Sequence, residues 1–188
     1  MFDFQTFPIL RTKRLILRDI VRNDADAIFA IRSDYQVTHY NIGAAYTDTK
    51  QAQKLIENMT KRYQQREELR WGITYMPDDT VIGMCGFNYW DRVDRRGSIG
   101  FDLNRHYWRR GIMREALRRI LRFGFEAMKL NRIEADVSAE NAASLALLKS
   151  LGFQQEGYQR EQYFDEGTFH DLVLLALLKR EWQARSRP

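Results

Sequence analysis

The chain has 188 residues, 44% of them hydrophobic and 29% charged, with a net charge of +5. That length supports one sizeable core and a single domain over residues 1–188. No apolar run approaches the roughly 18 residues of a membrane span, residues 1–6 lack the layout of a signal peptide, and Cys85, the one cysteine, offers neither an internal disulfide nor a metal cluster, so a cytoplasmic protein with no metal and no membrane partner is expected.

In chain order, residues 14–20 alternate as a first strand. Asn23 or Asp24 can cap a helix carrying Ala27, Ile28, Ala30 and Ile31. A loop over residues 37–46 leads to Thr47, Asp48 and Thr49, cap candidates for a second helix with Ala52, Leu55, Ile56, Met59 and Tyr63 at helical spacing. Residues 70–76 and 81–90 read as a hairpin closed by Pro77-Asp78-Asp79. Gly83 and Gly86 mark a bulge or a close backbone approach. After a polar turn, residues 98–103 form the next strand.

From Ile112, an apolar stripe of Met113, Ala116, Leu117, Ile120, Leu121, Gly124 and Met128 predicts an amphipathic helix, with Glu115, Arg118, Arg119, Arg122, Glu126 and Lys129 on its other side. Residues 132–138 are a strand. Asn141 caps a helix with Leu145, Leu147, Leu148 and Leu151, and Gly152 sits where a left-handed glycine ends one. Strands around 155–163 and 169–178 meet at Asp165-Glu166-Gly167, and residues 185–188 form a frayed tail. The order β α α β β β α β α β β, without repeats or a linker, predicts a mixed α/β fold.

Residues 106–130 carry seven Lys/Arg against two Asp/Glu, an excess equal to that of the whole chain. They hold a basic loop running into a helix start, where unpaired N–H groups and the helix dipole favour anions, phosphate above all. Charge alone also fits a solvated helix face or a nucleic-acid surface.

The run Tyr107-Trp108-Arg109-Arg110-Gly111-Ile112-Met113-Arg114-Glu115-Ala116-Leu117 resembles the acetyl-CoA-binding motif of GNAT-type N-acetyltransferases, most of all the ribosomal-protein amino-terminal (alanine) acetyltransferases. Residues 11–18 and 141–153 extend the resemblance. It implies a mostly antiparallel twisted sheet flanked by helices, with a splayed central strand pair. It implies acetyl-CoA as donor, its pyrophosphate held by the backbone of Arg109, Arg110, Gly111, Ile112 and Met113, with Arg114 beside them. The Leu103 backbone would pair with the pantetheine arm and the Asn141 side chain would bond further along it, although Asn141 also reads as a plain helix cap. Trp108 and Met113 depart from the superfamily loop pattern Gln/Arg-x-x-Gly-x-Gly/Ala. Leu148 stands where many members carry a proton-donating tyrosine.

Acetyl transfer needs a neutral amine. A lysine is about 0.1% neutral at pH 7.4, whereas an α-amine is roughly a quarter neutral and needs little from a base. Asp136, on the strand that the resemblance places in the cleft, is the first base candidate, and Glu140 the second. Each also reads as an ordinary polar position, solvent-facing on a strand or beside a helix N-terminus. Ser144 is a hydroxyl candidate for protonating the leaving thiolate, Tyr163 a weaker one. The loop 37–46, the turn near Asp165, Tyr89 and Trp90 are acceptor-site candidates, with Glu156, Glu161, Asp165 and Glu166 suiting a cationic acceptor. The resulting expectation is an N-acetyltransferase acting on a protein N-terminal α-amine by direct attack in a ternary complex. The alternatives are a small-molecule amine such as a polyamine, amino acid or aminoglycoside, or a non-catalytic acyl-CoA binder. A monomer or homodimer is expected, with nucleic acid not a substrate.

Overall fold

A computed structural model describes residues 3–41, 43–165 and 167–186. Eight strands form one sheet. They are β1 (Leu10–Arg11), β2 (Leu15–Arg18), β3 (Leu69–Tyr75), β4 (Val81–Asp91), β5 (Arg96–Leu103), β6 (Arg132–Ser138), β7 (Gln154–Asp165) and β8 (Thr168–Leu178). The spatial order is β1-β2-β3-β4-β5-β6-β8-β7, and every pairing is antiparallel except β5–β6.

That exception shapes the molecule. β5 and β6 pair only at Arg96↔Arg132, Gly97↔Ile133 and Ser98↔Glu134. On their outer edges β5 stays paired with β4 as far as Leu103↔Gly83, and β6 with β8 as far as Ser138↔Leu172. Residues 99–103 and 135–138 therefore diverge as the two arms of a V, which is the splayed strand pair expected from the sequence.

Side-chain alternation gives the sheet two distinct faces. The helices are α1 (Ala25–Arg32), α2 (Tyr35–Thr38), α3 (Thr49–Gln64), α4 (Ile112–Glu126), α5 (Ala142–Leu151) and α6 (Lys179–Ser186). Against one face α4 and α5 bury Leu117, Leu121 and Leu148 with Trp71, Phe87 and Ile133. Against the other, α1 and α3 bury Ile28, Ile31 and Ile56 with Val81 and Met84. The α3 start is a capping box, Asp48 accepting from Lys50 N–H while Gln51 Oε1 accepts from Asp48 N–H.

Three elements lie beyond the sequence reading. β1 is two residues long, α2 is a single turn capped by Asp34, and α6 spans residues 179–184, to which the sequence reading assigns no element, and the start of the expected tail. α6 docks through Trp182, whose ring lies 5.9 Å from that of Phe125. The expected tail begins inside α6 at Arg185 and Ser186. Residues 187–188, Glu166 and residues 1–2 lie outside the described residues.

Candidate active site

The basic loop ends in an unusual helix start. Gly111, the N-cap of α4, has φ +72°, and no side chain caps the helix. Arg109 is also left-handed, at φ +59°, so a left-handed residue stands on each side of Arg110, and left-handed residues are what an anion-binding nest is built with. The first intrahelical bond runs from Glu115 N–H to the Gly111 carbonyl, leaving the N–H groups of Ile112, Met113 and Arg114 without partners inside the helix. A Cβ built on Gly111 would meet only Arg14 Nη2, at 3.7 Å. These features fit a pyrophosphate. Met113 packs into the core and Arg114 is exposed, so Met113 can offer an anion its backbone only.

A tie missing from the sequence reading holds this helix start. Glu115, expected on the solvent side, accepts at Oε1 from Thr12 Oγ1 at 2.6 Å and Arg14 N–H at 3.1 Å, and at Oε2 from Arg14 Nε at 2.7 Å. Arg14 also donates to the Arg110 carbonyl at 3.1 Å. Burial opposes ionisation of Glu115, but these donors outweigh it and hold its carboxyl below the ordinary value. Residues 11–18 and 107–117, two separate stretches of motif, thus meet in space.

Trp108 also acquires a partner that its departure from the loop pattern did not reveal. Its indole N–H donates to the Leu103 carbonyl at 2.7 Å. Asn104 N–H donates to Ile82 on β4, so by strand alternation Leu103 turns its own N–H and C=O into the V. With the carbonyl engaged by Trp108, the Leu103 N–H is the group aimed at the opening.

On the other arm, Ile133, Ala135 and Val137 are buried toward α4 and α5, and Glu134 and Asp136 point to the α1/α3 face. Loss of water on one side, and then the neighbouring Glu134 carboxylate, push the Asp136 carboxyl above its ordinary value. Beyond the arm, Glu140 is exposed in the turn before α5. Asn141 Oδ1 caps α5 by accepting from Ser144 N–H at 3.0 Å, which leaves the Asn141 amide NH2 for another partner. Leu148 is fully buried in the core.

Over the β5 arm lies the expected acceptor loop, and it is anchored there. Asp102, 8% exposed, accepts from Asn41 Nδ2 at 2.8 Å and from Arg32 Nη1 at 3.3 Å. Arg105 Nε bridges to Asp34 Oδ2 at 2.9 Å. Other acceptor-site expectations fail on packing. Trp90 is buried against Phe4, ring to ring at 5.0 Å. Glu156 is paired with Arg132. Tyr163, the weaker proton-donor candidate, stacks on His170 at 5.0 Å. An open cleft of about 790 Å³ elsewhere is lined by Arg18, Asp24 and Asp79. Those three already pair with one another.

Residues 14–154 match the family model described as Acetyltransferase (GNAT) domain. The chain is 39% identical over 173 residues to the uncharacterized N-acetyltransferase p20 of Bacillus licheniformis, covering 92% of this chain and 97% of that one. It is 31% identical over 108 residues to the [ribosomal protein uS5]-alanine N-acetyltransferase of Escherichia coli K12, covering 56% of each. Among solved structures, spermidine N-acetyltransferase from Vibrio cholerae in complex with CoA and spermine superposes with a TM-score of 0.81 at 21% identity, over 92% of this chain and 99% of that one.

Proposed function

The chain belongs to the GNAT acetyltransferase family and is an N-acetyltransferase, and we propose that its acceptor is a protein N-terminal α-amine of the ribosomal-protein type, attacking directly in a ternary complex. The observation that carries this reading is the β5–β6 pairing that stops at Ser98↔Glu134. It opens a slot through the sheet with an anion-binding nest at the α4 start and carboxylates on the opposite face.

Acetyl-CoA supplies the activated acetyl group as a thioester. In this reading the N–H groups from Arg109 to Met113 hold its pyrophosphate, with Arg110 and Arg114 adding positive charge. The Leu103 N–H and the Asn141 amide line up with the pantetheine arm. Asp136 accepts, through water, the proton that the amine sheds as its nitrogen bonds to the acetyl carbon. Glu140 is the reserve base. Ser144 relays a proton from solvent water to the departing sulfur, taking one from water as it gives its own, a role the buried Leu148 side chain has no group to fill.

The weakness of this acid–base set supports an α-amine over a lysine. A carboxylate is a poor base for an ammonium near pKa 10.4 and sufficient for one near 7.8, already roughly a quarter neutral at pH 7.4. The resemblance to the uS5-alanine enzyme points the same way. The test is mass spectrometry of peptides carrying a free N-terminal Ala or Ser and an internal lysine, alongside spermidine. Acetylation at the N-terminus is expected; acetylation of lysine or spermidine with the N-terminus untouched would overturn the acceptor assignment.

A further inference from the structure

On the α1/α3 face, β3, β4 and β5 present a lateral row, Arg70↔Gly86 and Gly86↔Gly100. Extending the register from Ser98↔Glu134 places Asp136 level with Gly100 across the V. Gly86 leaves Arg70 free to reach over β4, and its Nη2 comes to 3.9 Å from Asp102 Oδ2 on β5. The Arg70 guanidinium therefore stands beside the V, about one strand spacing of 4.8 Å from its edge.

It stands there poorly satisfied. Arg70 lies 3.8 Å from Glu68 and 3.9 Å from Asp102, both beyond hydrogen-bonding distance. Its Nε is buried without a partner, as is the Nε of Arg32, whose guanidinium stacks over Tyr46. Asn88 Oδ1, which lies over Gly100, is a third buried atom without a partner. A guanidinium offers five donors, and leaving buried ones unused is costly, so native sites complete them with water or a ligand. In the cluster Arg32, Arg62 and Arg70 face Asp102, Glu67 and Glu68, and Arg62 takes the contacts to Glu67 and the shorter one to Glu68, so Arg70 keeps only its two long ones. Burial, and then the neighbouring Glu67, push the Glu68 carboxyl up against the pull of Arg70 and Arg62.

We propose that Arg70 and Arg32 receive a carboxylate of the acceptor, so that the enzyme selects amines that also bear an acid group within reach across the V. The two arms then divide the work. Asp136 on β6 faces the amine, and the arginines beside β5 face the acid. The inference rests on the reading that an amine is acetylated in the V. The carboxylate has two sources, the α-carboxylate of a free amino acid or an acidic side chain next to a peptide N-terminus.

Matched acceptors separate these. With acetyl-CoA and the full chain, glycine is compared with glycinamide, and a hexapeptide with Asp at its second position with the same peptide carrying Asn. Binding of all four to the protein–coenzyme A complex is measured in parallel by calorimetry. The acid member of at least one pair is expected to win by about tenfold or more in kcat/KM, carried mainly by KM, as a charge-assisted pair predicts. Arg70→Gln is expected to erase that preference while its coenzyme A affinity stays at the wild-type value. Arg32→Gln, expected to act in the same direction, decides the matter if Arg70→Gln does not fold. Preference within the glycine pair assigns the α-carboxylate; preference within the peptide pair assigns the side chain. Equal use of acid and amide in both pairs, or a preference that survives both substitutions, overturns the proposal and leaves the arginines as water-satisfied structure. Acid-selective binding without any acetylation sinks the acceptor reading and retains the subsite, whereas absence of both removes the two together.

Discussion

Replacing Gly111 tests the anion nest without touching an arginine. The residue sits at φ +72°, and a Cβ there would meet nothing nearer than Arg14 Nη2 at 3.7 Å, so the penalty is almost purely one of backbone conformation. A β-branched residue in the left-handed region costs about 1–2 kcal/mol or somewhat more, equivalent to a fall of roughly 2–8 °C in Tm for a chain of this size. If Gly111→Val relaxes to negative φ, it turns the N–H groups of Arg110 and Ile112 out of the nest. Loss of one or two charge-assisted bonds at about 1.5–3 kcal/mol each weakens coenzyme A binding by at least tenfold. Asparagine tolerates the left-handed region, so Gly111→Asn is expected to recover most of the affinity. Calorimetric titration with coenzyme A, alongside thermal melting, reads both effects. Wild-type affinity in Gly111→Val would show that the nest is not where the phosphate binds. Equal losses in Val and Asn variants would mean that the side chain, not the backbone angle, is responsible.

Three further outcomes are expected. Asp136→Asn should keep coenzyme A affinity and lower kcat/KM by about tenfold or more near pH 6, with a smaller deficit at pH 9 where an α-amine is already neutral. Wild-type activity should fall on an acid limb whose midpoint lies above 3.8, the ordinary value for this carboxyl; an unchanged pH–rate profile in the variant would pass the role to Glu140 or solvent. Glu115→Gln should lower Tm at pH 7 by a few degrees. Because the Glu115 carboxyl is held below its ordinary 4.5, its contribution is complete above pH 4.5 and disappears as pH falls through the lower folded value; a gap between variant and wild type that widens in acid would contradict the tie to Thr12 and Arg14. Trp108→Phe removes the donor to the Leu103 carbonyl and should weaken coenzyme A binding several-fold, measured by the same titration.

The helix–strand rhythm was legible wherever one face of an element is apolar. The stripe from Ile112 to Met128 placed α4 and the Leu145–Leu151 pattern placed α5, because periodicity survives without tertiary context. α6 was not legible, since Lys179–Ser186 carries its one large apolar side chain at Trp182, and its docking on Phe125 leaves no period in the sequence. α2 is too short to show a period. The uncapped start of α4 was readable because its signal is local in sequence, a run of neighbours between Arg109 and Met113. The cluster around Asp102 carries no such signal, because Arg32, Arg70 and Asp102 lie on α1, β3 and β5 and share no local pattern. Glu115 was read as solvent-facing for the same reason. Its partners lie about a hundred positions earlier, at separations of 103 and 101 residues.

The three-residue seam between β5 and β6 has a mechanical consequence. It is the one lateral backbone connection between the sheet half formed by β1–β5 and that formed by β6–β8 among the described residues. A ladder so short is the natural place for the sheet to breathe, and amide hydrogen exchange should be fastest there among the central strands. If the donor's pantetheine arm lies between the strands as proposed, it acts as a missing strand, closing the ladder and coupling the halves. Stability then tracks donor concentration, rising by about 2.7 kcal/mol at a hundredfold excess over Kd, and slowed exchange along both arms of the V would register each binding event as a change in the stiffness of the whole sheet.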